Sequence, residues 1–201
     1  MKTGNRSRRT TLLGLLTAIL MVFGMTPLGY LNIGPLAISF NMIPVAIGAA
    51  ALGPVGGAIL GAVFGMTSFL QCLGIGGSSA MGVILLQINP VFAFIQRFVP
   101  RVLAGFLVGV IYQLARRVFS PGVSGSIAGF CAALLNTVLF MGALILLFGN
   151  TQYLTDLIAG RNVIVFICTF VGINAVAEAL ATTAVTGALT AALERSGLLR
   201  R

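Results

Sequence analysis

The feature that most constrains this chain is a succession of apolar segments, each closed by proline, glycine, asparagine or arginine. They read TTLLGLLTAILMVFGM (10–25), MIPVAIGAAAL (42–52), GGAILGAVFGMTSFLQCL (56–73), VFAFIQRFVPRVLAGFLVGVIYQLA (91–115), VSGSIAGFCAALLNTVLFMGALILLF (123–148) and NVIVFICTFVGINAVAEALATTAVTGALTAAL (162–193). A membrane helix needs roughly 20 predominantly apolar residues, and only the second segment is clearly too short for a comfortable crossing. Soluble domains carry about 25% charged residues, whereas this chain has 7%. It lacks the polar surface that water demands. The expectation is an all-α membrane protein of six helices, forming one integral membrane domain over residues 1–201.

The basic residues orient the spans. Lys2, Arg6, Arg8 and Arg9 precede the first, Arg116 and Arg117 follow the fourth, and Arg195, Arg200 and Arg201 follow the sixth. With six spans these clusters share one side, and only Arg97, Arg101 and Arg161 fall elsewhere. The positive-inside rule then places both termini in the cytoplasm of a cell-membrane protein. Five or seven spans would divide the clusters. The net charge of +9 therefore reads as orientation beside anionic lipid, with no nucleic-acid partner. The N-terminal stretch imitates a signal peptide, but no A-x-A site follows it, and an uncleaved first span is expected.

Punctuation between the segments is consistent with that count. TPLGYLNIGPLAISFN (26–41) suits an ordered, extended extracellular loop. LGPVGG (52–57) is a tight cytoplasmic turn, and GNTQYLTDLIAGRN (149–162) a polar extracellular loop. Within residues 73–90, AMGVILLQI reads as re-entrant or interfacial.

Much chemistry is excluded by absence. The only lysine is Lys2, so there is no phosphate-binding G-x-x-x-x-G-K-[ST] loop and no ATPase in the chain. The acids are Asp156, Glu178 and Glu194, and there is no histidine. Paired-carboxylate, triad and metal chemistry have no residues to use. Cys72, Cys131 and Cys168 lie singly in apolar runs and read as packing residues. No enzyme, cofactor or metal is expected.

Against this background FIQRFVPRVLAG (94–105) stands out. Arg97 and Arg101 are four residues apart and share a helix face. Counting from Pro90 at about 1.5 Å per residue, they lie roughly 10 Å and 16 Å below the outer end. An arginine at mid-helix costs about 2.5–3.5 kcal/mol on insertion scales, so the pair needs anionic or carbonyl partners on an inward side. Pro100 removes a backbone donor between them and can open the helix. Asn136 and Asn174 fall at roughly 18 Å depth, and Glu178 one turn below Asn174. Gln96, Gln71, Tyr30, Asn32 and Asn41 are placed to close the site from above. The result is a polar pocket richer in cation than anion, suited to an organic acid. Two plainer readings stand beside it: an Arg101–Glu178 salt bridge between helices, and Asn136 and Asn174 as interhelical hydrogen-bonding glue.

Small residues mark two further faces. Gly57-AIL-Gly61-AVF-Gly65 gives the third span a flat strip suited to close packing in the bundle. Gly14-LLT-Ala18 does the same on the first span, where an outside partner helix is equally expected.

Together these features resemble a known family, the substrate-binding S components of energy-coupling factor (ECF) vitamin transporters. The resemblance covers nearly the whole chain: the arginine-bearing N-terminus, LLGLLTAILMVFG, FNMIPVAIGAAALGPVGGAILGAVFGMTSF, PRVLAGFLVGVIYQLARR, LLNTVLFMGAL and NAVAEAL. Most specific is the proline-led short second helix passing through LGP into a glycine-rich third.

The resemblance implies six helices with cytoplasmic termini and one small vitamin held tightly on the extracellular side. It also implies delivery inward through a transmembrane coupling subunit carrying two cytoplasmic ATPases, with the binding subunit toppling in the membrane. The family's small-residue contact motif maps onto Gly14 and Ala18, with glycine where alanine is usual. Its binding sites draw on the first loop, the fourth helix, the fifth loop and the sixth helix. The layout is most similar to the pantothenate-type branch, whose carboxylate suits two arginines and whose hydroxyl and amide groups suit the asparagines. Two other classes remain: an ion-coupled secondary carrier of a small organic acid, for which Glu178 is the lone titratable candidate, and a non-transport structural membrane protein.

Overall fold

Local chemistry sets the elements of the chain. The computed structural model describes residues 2–26, 29–33, 36–77, 79–160 and 162–197; the side chains of 2–6, 30–33, 36–38, 163–164, 166–171 and 173–174 lie outside that description. The helices are α1 (Lys2–Met25), α2 (Met42–Leu52), α3 (Pro54–Cys72), α4 (Ala80–Ile88), α5 (Pro90–Ala115), α6 (Pro121–Phe148), α7 (Gln152–Ile158) and α8 (Val163–Arg195). Among the described residues, five are long and apolar enough to cross a membrane, and Met42–Leu52 is a shorter apolar helix.

The short α2 is the centre of the bundle. Nine of its eleven residues are buried, and it packs on α1, α3, α5, α6 and α8. A helix that is apolar on all sides belongs inside. Neighbouring helices rather than lipid surround it, so bilayer thickness does not set its length. Val45, Ala46 and Ala49 join Leu16, Leu20, Leu60, Phe64, Ala104 and Val108 in the main core. Gly53, at φ 83°, turns α2 into α3 while its N–H caps the Ala49 carbonyl, and Pro54 opens the next helix. A residue with a Cβ is strained at that angle.

The basic ends gather on one side. Arg9 donates to the Leu52 carbonyl at 2.9 Å, and Arg116 pairs with Glu194 at 3.2 Å. Gly109 packs on Pro54, and Gly122 lies beside Ala191. The start of α1, the α2–α3 turn, the end of α5, the start of α6 and the end of α8 therefore share one end of the bundle, the end that the positive-inside rule reads as cytoplasmic.

The opposite end is more structured than its sequence suggests. The loop after α1 holds an antiparallel hairpin, β1 (Tyr30–Ile33) and β2 (Leu36–Ser39), with Tyr30 opposite Ser39. Its base is closed by the Phe40 N–H on the Gly29 carbonyl at 3.0 Å. Residues 80–88 form α4, capped by the Ser79 hydroxyl, which accepts from the Gly82 N–H at 3.2 Å. Asn89 then caps α5 by accepting from Val91 and Phe92 at 3.0 and 3.1 Å. The polar stretch expected to be loop contains α7, because Thr151 caps it and Leu154 is fully buried. Leu154 and its neighbours join Leu85, Ala93, Met141, Leu144 and Phe148 in a second core at the outer end. α1 also begins well before residue 10, continuing the helix through its arginines.

Candidate ligand-binding site

Two glycine seams hold the helices that carry the site. A Cβ on Gly57 would collide with the Gly105 carbonyl, one on Gly61 with the Arg101 carbonyl, and one on Gly65 would come within 2.9 Å of Phe98 Cα. The double GxxxG strip is thus packing within the bundle, and it fixes α3 against the α5 segment that carries the arginines. The second seam joins α6 to α8. A Cβ on Gly129 would meet the Thr182 carbonyl, and one on Gly125 would meet the Thr190 hydroxyl. Thr182, Thr186 and Thr190 are all buried.

Arg97 and Arg101 lie in the outer half of the bundle, each 6% exposed. α5 runs unbroken through Pro100, where the missing N–H cannot reach the Gln96 carbonyl. Arg97 donates to the Ser68 hydroxyl on α3 at 3.4 Å and to the Ser79 hydroxyl at 3.1 Å. Arg101 donates to the Arg97 carbonyl at 2.8 Å. Phe140 of α6 lies over both guanidiniums, its centroid 5.2 Å from that of Arg97 and 4.8 Å from that of Arg101. Phe64 lies 4.5 Å from the Arg101 guanidinium. Such aromatic contacts stabilise a desolvated cation by about 0.5–2 kcal/mol while leaving in-plane N–H edges to act as donors.

One turn along α6 from Phe140, Asn136 donates to the Glu178 carboxylate at 3.5 Å. Glu178 is 7% exposed and feels the charge of Arg101. Asn41 is fully buried and donates to the Ser39 hydroxyl at 3.2 Å. Among the described residues, the oxygens of Asn41 and Asn136 and both amide atoms of Gln96 have no hydrogen-bond partner. Each such buried group costs about 1–3 kcal/mol, an expense that a polar ligand in this layer removes.

The structure therefore brings together Arg97, Arg101, Asn136, Glu178 and Asn41, with Gln96 adjoining Arg97 on α5. Gln71 is used differently: its amide donates to the Gly24 carbonyl at 2.6 Å, tying α3 to α1. Asn174 lies in α8 and Tyr30 and Asn32 in β1, but their side chains fall outside the described residues. Sequence reasoning missed Phe64, Phe140, Ser39, Ser68 and Ser79. The glycine strip held a clue to two of them, since the register that sets Gly61 on Arg101 also brings Phe64 and Ser68 of α3 to the arginines.

Far from this site, Gly14 has no atom near the place of a Cβ, and Gly14 and Ala18 are exposed on α1. That strip is open, unlike the one on α3.

Six apolar helices, a structured outer end and a buried layer of two arginines give the architecture of a multi-pass membrane protein, and the chain belongs to the family of ECF transporter substrate-specific components, which it matches over residues 8–190. It is a multi-pass plasma-membrane protein, the vitamin-binding subunit of an importer that works with the partners of the ECF module. Among characterised proteins it is similar to the pantothenic acid transporter PanT of Lactococcus lactis subsp. cremoris (strain MG1363), at 26% identity over 207 residues, covering 96% of this chain and 98% of the relative.

Proposed function

We propose that this chain captures pantothenate from the extracellular side and releases it inward through a transmembrane coupling subunit bearing two cytoplasmic ATPases, without catalysing a reaction itself. The observation that carries this reading is the pair Arg97 and Arg101, buried side by side on a helix face and both covered by Phe140. Two buried guanidiniums favour a carboxylate-bearing solute, because paired N–H donors bind a carboxylate through charge-assisted hydrogen bonds. The acceptors at Asn136, Asn41 and Glu178 suit the hydroxyl and amide donors of the same molecule. The name of the Lactococcus relative supports the choice among anionic vitamins. Gly14 and Ala18, exposed on α1, suit close approach by a helix of the coupling subunit. The whole chain, residues 1–201, acts as one membrane domain in this scheme.

The test is thermal stabilisation of the purified chain by pantothenate, folate, pyridoxine, riboflavin, biotin and thiamine. A ligand at 100 times its dissociation constant adds about 2.7 kcal/mol. A shift with pantothenate alone supports the proposal, and a shift with another vitamin reassigns the substrate. No shift with any of the six, together with uptake driven by a proton or sodium gradient in vesicles lacking ATP, favours an ion-coupled carrier of an organic acid.

A further inference from the structure

The site has two chemically opposite poles. At one, Arg97 and Arg101 offer only N–H donors. At the other, Glu178 offers a carboxylate, and the Asn136 and Asn41 oxygens are acceptors without partners among the described residues. The poles are about one helical turn apart along α6, roughly 6 Å, because Phe140 covers the arginines and Asn136, four residues earlier, holds Glu178.

The arginines alone explain a carboxylate requirement, and Glu178, which feels the charge of Arg101, is not needed for it. A buried acid beside a site for an anion repels that anion unless it serves another part of it. Its hydrogen bond from Asn136 leaves lone-pair capacity, since a carboxylate has about four acceptor positions. Among the described residues, the unmatched atoms at this pole, the Asn41 and Asn136 oxygens, accept, so a ligand end placed there is expected to donate.

We infer that Glu178 is a specificity-determining residue that reads the donor-bearing end of the ligand, restricting the site to monocarboxylates with hydroxyl or amide donors at the far end. This rests on the proposed function and deepens it. β2 packs on α8, with Ser39 near Glu178, so a ligand donor on Glu178 binds beside the hairpin.

The experiment compares two ligands on the full chain purified in detergent: pantothenate, and its analogue with both hydroxyls replaced by hydrogen. Calorimetry gives a dissociation constant for each. Wild type is expected to bind the deoxy analogue roughly 10- to 100-fold more weakly. In Glu178→Gln that ratio falls about tenfold, because charge-assisted hydrogen bonds are roughly twice as strong as neutral ones, while the deoxy analogue is little affected. Equal weakening of both ligands shows that Glu178 does not read the hydroxyl-bearing end, and overturns the inference. A wild-type ratio near one overturns it while leaving pantothenate capture intact. No pantothenate binding by wild type overturns the proposed substrate and this inference together. Should Glu178→Gln fail to fold, Glu178→Asp keeps the charge but withdraws the oxygens by one carbon, and it must shrink the same ratio.

Discussion

The carbonyl oxygen of Gly105 on α5 occupies the space that a Cβ on Gly57 of α3 would fill, and Gly57 returns the same contact to Gly105. Backbone meets backbone there, so neither side chain nor rotamer can relax around an added group. One turn along, Gly61 faces the carbonyl of Arg101 in the same way, so the seam also sets where the cation sits. Gly61→Leu is expected to cost at least about 1–3 kcal/mol from overpacking, lowering Tm by roughly 5–10 °C. It also displaces Arg101 and abolishes ligand binding. Thermal unfolding and calorimetry on the same preparation check both.

Arg101→Ala removes a guanidinium that touches Phe64 and Phe140 and reaches the Arg97 carbonyl. Losing a charge-assisted hydrogen bond of about 1.5–3 kcal/mol should weaken pantothenate binding at least roughly 10- to 100-fold. Arg101→Lys should not restore it, because an ammonium has neither the planar fork nor the flat face that the two rings accept. Retained affinity with a lowered Tm means that Arg101 works as a helix tie through its charge on Glu178.

The six-segment pattern, the gathering of the basic ends at one end of the bundle and the packing role of Gly57, Gly61 and Gly65 were all legible in the sequence, because hydropathy and small-residue spacing act along one helix at a time. Arg97 and Arg101 stood out because a cation in an apolar run is costly. Phe64 and Phe140 did not, because they are among 14 phenylalanines in an apolar chain. Their role depends on which faces meet across helices. α7 was missed because its seven residues are polar enough to read as loop, and only Leu154 burying into the outer core shows why they coil. Gln71 was placed by depth among the site residues, but depth does not fix azimuth, and its amide points to Gly24.

Ser79 joins two functions in one hydroxyl, capping α4 through the Gly82 N–H and receiving Arg97. Ser79→Ala is expected to cost about 1 kcal/mol as a lost N-cap and to leave Arg97 less well oriented. Hydrogen exchange should quicken across residues 80–88, leaving residues 54–72 protected, and pantothenate affinity should drop several-fold. Unchanged exchange in α4 would show that the cap is dispensable.

The Arg116–Glu194 pair is a different case. Its side chains are 36% and 37% exposed, and exposed ion pairs contribute only about 0.2–1 kcal/mol. Glu194→Gln should leave pantothenate affinity unchanged and move Tm by no more than about 2–4 °C. A larger effect on transport than on Tm would assign this cytoplasmic corner to partner contact.

Gly14 and Ala18 invert the logic of the α3 glycines. Both strips are small residues at four-residue spacing, but a Cβ at Gly61 has no room, whereas a Cβ at Gly14 meets nothing. Gly14→Leu or Ala18→Leu therefore adds bulk to an open face and should leave folding and pantothenate affinity within about twofold of wild type. The surrounding Leu15, Met21, Val22 and Met25 are exposed as well, so the added side chain joins an apolar face instead of breaking a core. What it removes is close helix approach, for which small-xxx-small strips are suited in membranes. ATP-dependent uptake by the reconstituted complex should fall by at least tenfold, and co-purification with the coupling subunit should fall with it. Loss of binding by the isolated chain would instead make this face part of the internal packing, and full uptake with bound coupling subunit would move the partner contact elsewhere on the cytoplasmic half.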